Sequence, residues 1–372
     1  MVLEGWPMTK SVGIDFKNND EYLKREASRV REERRKLGLE GLVGGLRSVV
    51  INTEPDRQYT VVEEMIRYTG LEFAGAFQDA HSRTCVLKAT GSADFLVLAR
   101  IGQENPFRSY NLCPKSKHLP DTRLETFAFE VEDLEKYVSI QRARGVAFLT
   151  DHIVRAESHS FIQTHPSALT GNSLGFMQWH GQRGEYYTRR SEPVDWKPTR
   201  YSKQYRANIK GLDHAATRVR AEERDAAIIE FMELTNYDFT MAIYVEALNS
   251  ITNVARFSPT DFAMVFTSGI SPYVSDTRSG PTEKFIQNYG TRVHHVAFRT
   301  ENIEATFEAL KDDGMDFLID LVGSPDEGLK QTFTVPSENT LLVNEYILRY
   351  GDFDGFFTKS NVALLTEATA KQ

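Results

Sequence analysis

Three residues in the second half of the chain, His214, His295 and Glu345, are of types that bind metal, and each lies in a short strand-like segment. The segments are Leu212-Asp213-His214-Ala215, Val293-His294-His295-Val296-Ala297-Phe298 and Leu342-Val343-Asn344-Glu345-Tyr346-Ile347. Two neutral imidazoles and a carboxylate on one face of an ion leave the opposite positions open. That donor set suits iron(II), Fe(2+), in oxygen chemistry. A carboxylate among Leu341, Leu342, Val343 and Ile347 is costly unless a cation meets it. A metal would be such a cation, and Arg349 is the purely structural alternative. The three residues are far apart in sequence, so only a fold that gathers distant strands can make them one site.

The chain carries evidence for such a fold, because it repeats itself. Phe127-Ala128-Phe129-Glu130-Val131-Glu132-Asp133 matches Val296-Ala297-Phe298-Arg299-Thr300-Glu301-Asn302, and the match runs on through Gly145 against Gly314. Leu46 to Phe73 matches Leu212 to Phe239, and Asp94-Phe95 matches Asp261-Phe262 after a one-residue slip. Internal similarity on this scale implies two copies of one structural unit. In the second copy a strand at 212–217 precedes a helix at 222–234. Two hairpin-like strands near 243–255 and 261–266 follow, then a strand at 293–298. Ile303, Phe307 and Leu310 at helical spacing predict a helix stopped by Gly314, and strands at 331–335 and 341–348 complete the copy. The pattern predicts an α+β fold of tandem βαβββ modules forming two open-barrel halves.

The duplication is also an internal control. His214 corresponds to Ser48, His295 to Thr126, and Glu345 to Gly175 or Phe176. The first copy has no metal ligand at any of these positions, so the chemistry is expected in the second. Side chains alternate across a strand, which puts Val296 and Phe298 on one face with His294 and leaves His295 with Ala297 on the other. His295 is therefore the expected ligand, and His294, matched to Glu125, is expected to be partly exposed. His81, His118, His152, His159, His165 and His180 show no ligand spacing. Phosphate-binding glycine loops, a Gly-x-Ser-x-Gly elbow and zinc-type cysteine pairs are absent from the sequence.

Bulk properties narrow the classes. At 372 residues the chain suits two modules rather than one small core. A net charge of −8 argues against general nucleic-acid binding. The two cysteines, Cys85 and Cys113, are too few for a disulfide scaffold and fit a reducing cytoplasm. No apolar run is long enough to cross a bilayer, and the N-terminus lacks a secretory pattern, so a cytoplasmic protein without a membrane partner is expected. The expected divisions are a solvated helical arm (1–44), a structural module (45–181) and a basic, aromatic connection (182–210). A catalytic module (211–351) and a closing helix (352–372) follow.

The residues carrying these expectations resemble the 4-hydroxyphenylpyruvate dioxygenase family of the vicinal-oxygen-chelate superfamily, whose fold is glyoxalase-like. The iron histidines of that family stand in contexts matched by Asp213-His214 and His295-Val296-Ala297-Phe298, and its glutamate strand by Glu345-Tyr346-Ile347-Leu348-Arg349. Gln331-Thr332-Phe333-Thr334 resembles a segment whose glutamine lies in the substrate pocket, and Leu248-Asn249-Ser250 a strand whose serine faces substrate. Gly355-Phe356-Phe357 followed by 361–368 resembles the segment and helix that close the site. Ser250, Gln331, Phe356 and Phe357 are thereby the candidate substrate contacts. Departures exist: the stretch from His295 to Glu345 is shorter than usual. Gly280-Pro281-Thr282-Glu283 and Thr267-Ser268-Gly269 replace polar segments of the family, and Leu348 stands where it has a glutamine.

The resemblance implies an iron(II) dioxygenase whose partners are dioxygen and a small aryl 2-oxo acid. The reaction it implies is 4-hydroxyphenylpyruvate and dioxygen going to homogentisate and carbon dioxide, a step of aromatic amino acid catabolism in tyrosine degradation. Benzylic hydroxylation to 4-hydroxymandelate, a related 2-oxo acid as substrate, and a non-catalytic binding module are the alternatives. Assembly into a homo-oligomer is left open.

Overall fold

The computed structural model describes residues 16–353 and 355–372. Two largely buried runs, 43–52 and 209–218, become the central strands of two sheets, and everything else is arranged around them. The first sheet contains β1 (Val43–Asn52), β2 (Glu72–Gln78), β3 (Ser82–Lys88), β4 (Asp94–Arg100) and β5 (Arg123–Val131). It is completed by β6 (Val154–Arg155), β7 (His159–Gln163), β8 (Ser173–Trp179) and β9 (Glu192–Pro193). The second contains β10 (Ile209–Arg218), β11 (Asp238–Val245), β12 (Ser250–Arg256) and β13 (Ala263–Ser268). Its other strands are β14 (Arg292–Thr300), β15 (Val322–Ser324), β16 (Leu329–Phe333) and β17 (Val343–Arg349). Helices α1 (Glu21–Leu37), α2 (Gln58–Tyr68), α3 (Leu134–Ala143), α4 (Arg224–Leu234), α5 (Pro281–Tyr289), α6 (Ile303–Asp312) and α7 (Lys359–Ala368) connect and cover them.

The strand order is β6-β7-β8-β5-β1-β4-β3-β2-β9 in the first sheet and β11-β12-β13-β10-β14-β17-β16-β15 in the second. Read backwards, the second order repeats the first, with β9 added at one edge by the connection between modules. Each module is thus βαβββ twice, and the expected α+β glyoxalase-like architecture is present, one sheet curling into a half-barrel. The helix ends repeat too. Asp133 and Asn302 accept hydrogen bonds from the backbone of Lys136 and Ala305 at the N-termini of α3 and α6. Gly145 and Gly314, at φ 88° and 87°, take the left-handed turn just past their C-termini.

Strand register settles the correspondence left open by the sequence. Ala297 lies opposite Glu345 as Ala128 lies opposite Gly175, so Gly175 holds the position of the carboxylate. Likewise His214 faces Ala297 as Ser48 faces Ala128, and His295 faces Ala216 as Thr126 faces Val50.

One face of each sheet enters a core shared by both modules, in which Val49, Phe127 and Phe129 meet Leu212, Phe231 and Phe298. Val296 and Phe298 point into this core as alternation requires, and Tyr346 does the same from β17. The opposite, concave face of the second sheet carries His214, His295 and Glu345.

Four expectations are corrected. The helical arm is not simply solvated: α1 buries Leu23, Ala27 and Val30. Its Arg29 pairs with Glu233 and its Arg34 with Asp238, because its charges flank a real apolar stripe. The stretch 243–255 is not one hairpin-like strand but the end of β11, a one-turn helix at Glu246–Leu248 and β12, with Asn249 at φ 47° making the reversal. Helix α5, begun by Pro281 at its first turn, was not expected. His294 is buried rather than partly exposed. The connection packs on the first module through Trp196, which stacks on Tyr59 at 4.1 Å. No helix of the described residues is long and apolar enough to cross a membrane.

Candidate metal centre

Three adjacent strands supply the site. β10 lies between β13 and β14, and β14 between β10 and β17, so residues distant in sequence become neighbours across the sheet. His214, His295 and Glu345 each offer a ligand atom, and these atoms lie within 4.8 Å of one another. Glu345 Oε2 is 3.0 Å from His214 Nε2 and 3.3 Å from His295 Nε2. All three side chains are buried. Ligand atoms each about 2.1 Å from one ion, at right angles, stand about 3 Å apart, a spacing that the two contacts of Glu345 match.

Each ligand is held from behind. His214 Nδ1 is 2.8 Å from Asp213 Oδ1, and Asp213 accepts two hydrogen bonds from Arg349, at 2.6 and 3.0 Å. Arg349 therefore serves Asp213 and is not the counter-charge of Glu345. Gln331 Nε2 donates to Glu345 Oε1 at 2.5 Å, and Gln331 Oε1 accepts from Asn361 Nδ2 of α7 at 3.0 Å. His295 Nδ1 is 2.8 Å from His294 Nδ1, and His294 Nε2 is 3.0 Å from Gln372 Oε1. With Nε2 of His295 turned to the ion, its Nδ1–H donates to His294, whose Nε2–H donates to Gln372. Such partners fix ring orientation and tautomer.

A bulge explains how two consecutive histidines reach one side of the sheet. Ala216 pairs with His295 but Thr217 pairs with Val293, so His294 is the extra residue of β14. A bulged residue leaves the alternation and its side chain is re-aimed. The first copy has the same irregularity at Glu125, between Thr126 and Leu124. Glu125 there turns to pair with Arg100 at 2.7 Å through both oxygens.

The electrostatics favour a cation. Burial works against a proton on His214, yet the carboxylates of Glu345 and Asp213 outweigh it and raise its pKa to about 9. Burial, with the positive fields of His294, His214 and Arg218, holds His295 well below the usual histidine range. Burial alone would lift Asp213, but His214 and Arg349 hold it well below the usual carboxylate range. The pair of carboxylates around His214 thus favours positive charge between it and Glu345, which a divalent ion would supply in place of a proton.

The candidate substrate contacts are distributed unequally. Gln331 and Phe357 line a small cavity beside His295 and Glu345, of about 40 Å³, together with Arg218, Phe333 and residues of α7. Phe356 lies behind Phe357, packed with Ala216, Val254 and Val265, its ring edge-on to His214 at 5.5 Å. Ser250 is buried at 3.2 Å from Thr282 Oγ1 and is not part of the lining, whereas Thr252 on the same strand is. Sequence reasoning assigned nothing to Asp213, Asn361 or Arg218, and set His294 aside. The Asp-His pair was a usable signal for Asp213; Asn361 had none, because its contact exists only once α7 folds over β16.

Residues 198–333 match the model of the Glyoxalase/Bleomycin resistance protein/Dioxygenase superfamily. No curated protein sequence matches the chain. Among solved structures, a mutant of 4-hydroxymandelate synthase from Streptomyces coelicolor superimposes with a TM-score of 0.67 at 16% identity. The match covers 88% of this chain and 98% of that one. A fusion protein of a xylose isomerase-like TIM barrel with 4-hydroxyphenylpyruvate dioxygenase gives 0.63 at 15% identity, covering 94% of this chain and 58% of that one. At such identities the likeness is one of fold.

Proposed function

We propose that the protein is a non-heme iron(II) dioxygenase acting on an aryl 2-oxo acid, with 4-hydroxyphenylpyruvate as the reference substrate. The observation that carries this reading is one carboxylate oxygen, Glu345 Oε2, lying 3.0 and 3.3 Å from two buried imidazole nitrogens on a fold shared with such enzymes. Iron(II) held by His214, His295 and Glu345 would supply the redox chemistry of oxidative decarboxylation with ring hydroxylation, converting 4-hydroxyphenylpyruvate and dioxygen to homogentisate and carbon dioxide.

The chain's own contribution is positioning and exclusion of water. Asp213 with Arg349, His294 with Gln372, and Gln331 with Asn361 hold the three ligands in place before substrate arrives. Phe333 and Phe357 offer apolar walls to the substrate ring and keep water from the reacting atoms. A cavity of about 40 Å³ holds only a few waters, so α7, which contributes Val362, Leu365, Thr366 and Thr369 to the wall, must yield for substrate to enter. In this reading 211–351 is the catalytic module, 45–181 its structural partner and 352–372 the closing segment.

Anaerobic loading with iron(II), then oxygen uptake with 4-hydroxyphenylpyruvate and mass analysis of the products, tests the proposal. Homogentisate is expected, and 4-hydroxymandelate would instead place the oxygen on the benzylic carbon. Absence of both iron retention and oxygen uptake with any aryl 2-oxo acid would leave a binding module.

A further inference from the structure

Arg218 is the charged residue of the cavity lining that the proposed chemistry does not use. It follows His214 and Ala216 on the same face of β10, four residues beyond His214, or about 13 Å of strand. Its side chain lines the cavity that holds Glu345 and His295, and the residue is only 4% exposed. Among the described residues its guanidinium has no carboxylate partner and no hydrogen bond; Nη1 is fully buried and unsatisfied. The nearest compensation is the ring of Phe285, whose centroid lies 4.4 Å from the guanidinium carbon.

Arg292, buried likewise, keeps one hydrogen bond, to the carbonyl of Thr122 at 3.1 Å, and three other buried arginines are better provided for. Arg34 pairs with Asp238, Arg224 with Asp20 and Asp225, and Arg123 donates to backbone carbonyls and to Asn111. A guanidinium without partners costs far more to bury than a cation–π contact returns, of order 2 kcal/mol at best. The hydroxyl of Thr267, also in the cavity wall, is likewise buried and unpartnered. Two unsatisfied donors therefore stand at paired positions of β10 and β13 in the cavity wall. No acid among the lining residues other than Glu345 could answer them.

We propose that Arg218, with Thr267, receives a second acidic group of the substrate, so that the site takes an aryl 2-oxo acid carrying a carboxylate on its ring at the end remote from the oxo acid. This rests on the reading above and narrows it: the ring presents an anion where 4-hydroxyphenylpyruvate presents a neutral hydroxyl. A planar fork facing a carboxylate is the strongest pairing available to a buried arginine. The same contact makes Arg218 a specificity determinant for substrate without any part in holding the metal.

The test compares 4-carboxyphenylpyruvate with phenylpyruvate, by calorimetric binding to the full chain in both its metal-free and anaerobically iron-loaded forms, and by oxygen uptake. The wild type is expected to bind the dicarboxylate about tenfold to a hundredfold more tightly in both forms. Arg218→Met should abolish that preference while phenylpyruvate binding changes little, and Arg218→Lys should keep part of it. Removing an unpaired buried cation should also leave the melting temperature equal or higher. A wild type that binds the two acids equally, a preference that survives in Arg218→Met, or a melting temperature that falls by many degrees in that variant would overturn the inference. Oxygen uptake without charge discrimination leaves the oxygenase standing and removes the role of Arg218. Discrimination in the metal-free protein without oxygen uptake does the reverse.

Discussion

At the scale of single residues, the site is a set of ligands each with a backing group. His294 is the unexpected one, since alternation along β14 would send its ring into the core. Its place at a bulge turns it to His295, and its Nδ1 contact at 2.8 Å makes it the acceptor that fixes the tautomer of the ligand. Loss of such a backing group lowers metal affinity by about tenfold to a hundredfold. We expect His294→Ala and Asp213→Ala each to weaken iron(II) binding by that amount in an anaerobic competition titration with a chelator. His295→Ala should abolish retention. Unchanged affinity in His294→Ala would show that the contact between the two rings does not hold the ligand.

At the scale of elements, the two modules are the same scaffold with and without a site. Gly175 stands at the position of Glu345, and a Cβ built there would come within 2.7 Å of the Phe161 ring. Phe161 pairs with Met177 as Gln331 pairs with Ile347, so the ring occupies the place of the glutamine that holds Glu345. The first module has thus filled its carboxylate position with an aromatic ring borne on the neighbouring strand. Gly175→Glu is expected to destabilise the protein by about 1–3 kcal/mol through overpacking. The double variant Gly175→Glu/Phe161→Gln should recover part of that loss, read by urea unfolding. Equal losses in the two would mean that Phe161 is not the obstacle.

At the scale of the whole molecule, two arginines at equivalent positions tie the modules to each other. Arg123 of β5 donates to the carbonyl of Thr291, and Arg292 of β14 donates to that of Thr122 at 3.1 Å. The exchange is reciprocal but uneven: Arg123 also reaches Asn111 Oδ1 and Thr170 O, whereas Nε and Nη1 of Arg292 lack partners among the described residues. Arg123→Met, which strands several buried acceptors, should cost about 3 kcal/mol or more. Arg292→Met should cost clearly less, since burial of its charge is poorly compensated. Because one core runs through both modules, chemical denaturation of either variant should remain a single transition; two separate transitions would show that the modules fold apart.

What the sequence determined by itself was the repeat, the period of its strands and helices, and the three residues of metal-binding type in the second copy. These are local or pairwise properties, written in alternation, in a cap residue such as Gly314, and in the comparison of one half with the other. The tertiary structure alone decided that β10, β14 and β17 lie side by side and so bring the three ligand atoms within 4.8 Å. It also decided that Arg349 goes to Asp213 rather than Glu345, that His294 escapes the alternation, and that Arg218 is buried without a partner among the described residues. The reason is physical: periodicity fixes which face a side chain takes on a regular strand. Bulges, strand neighbours and the desolvation of a charge are set by segments distant in sequence, and exist only once those segments meet.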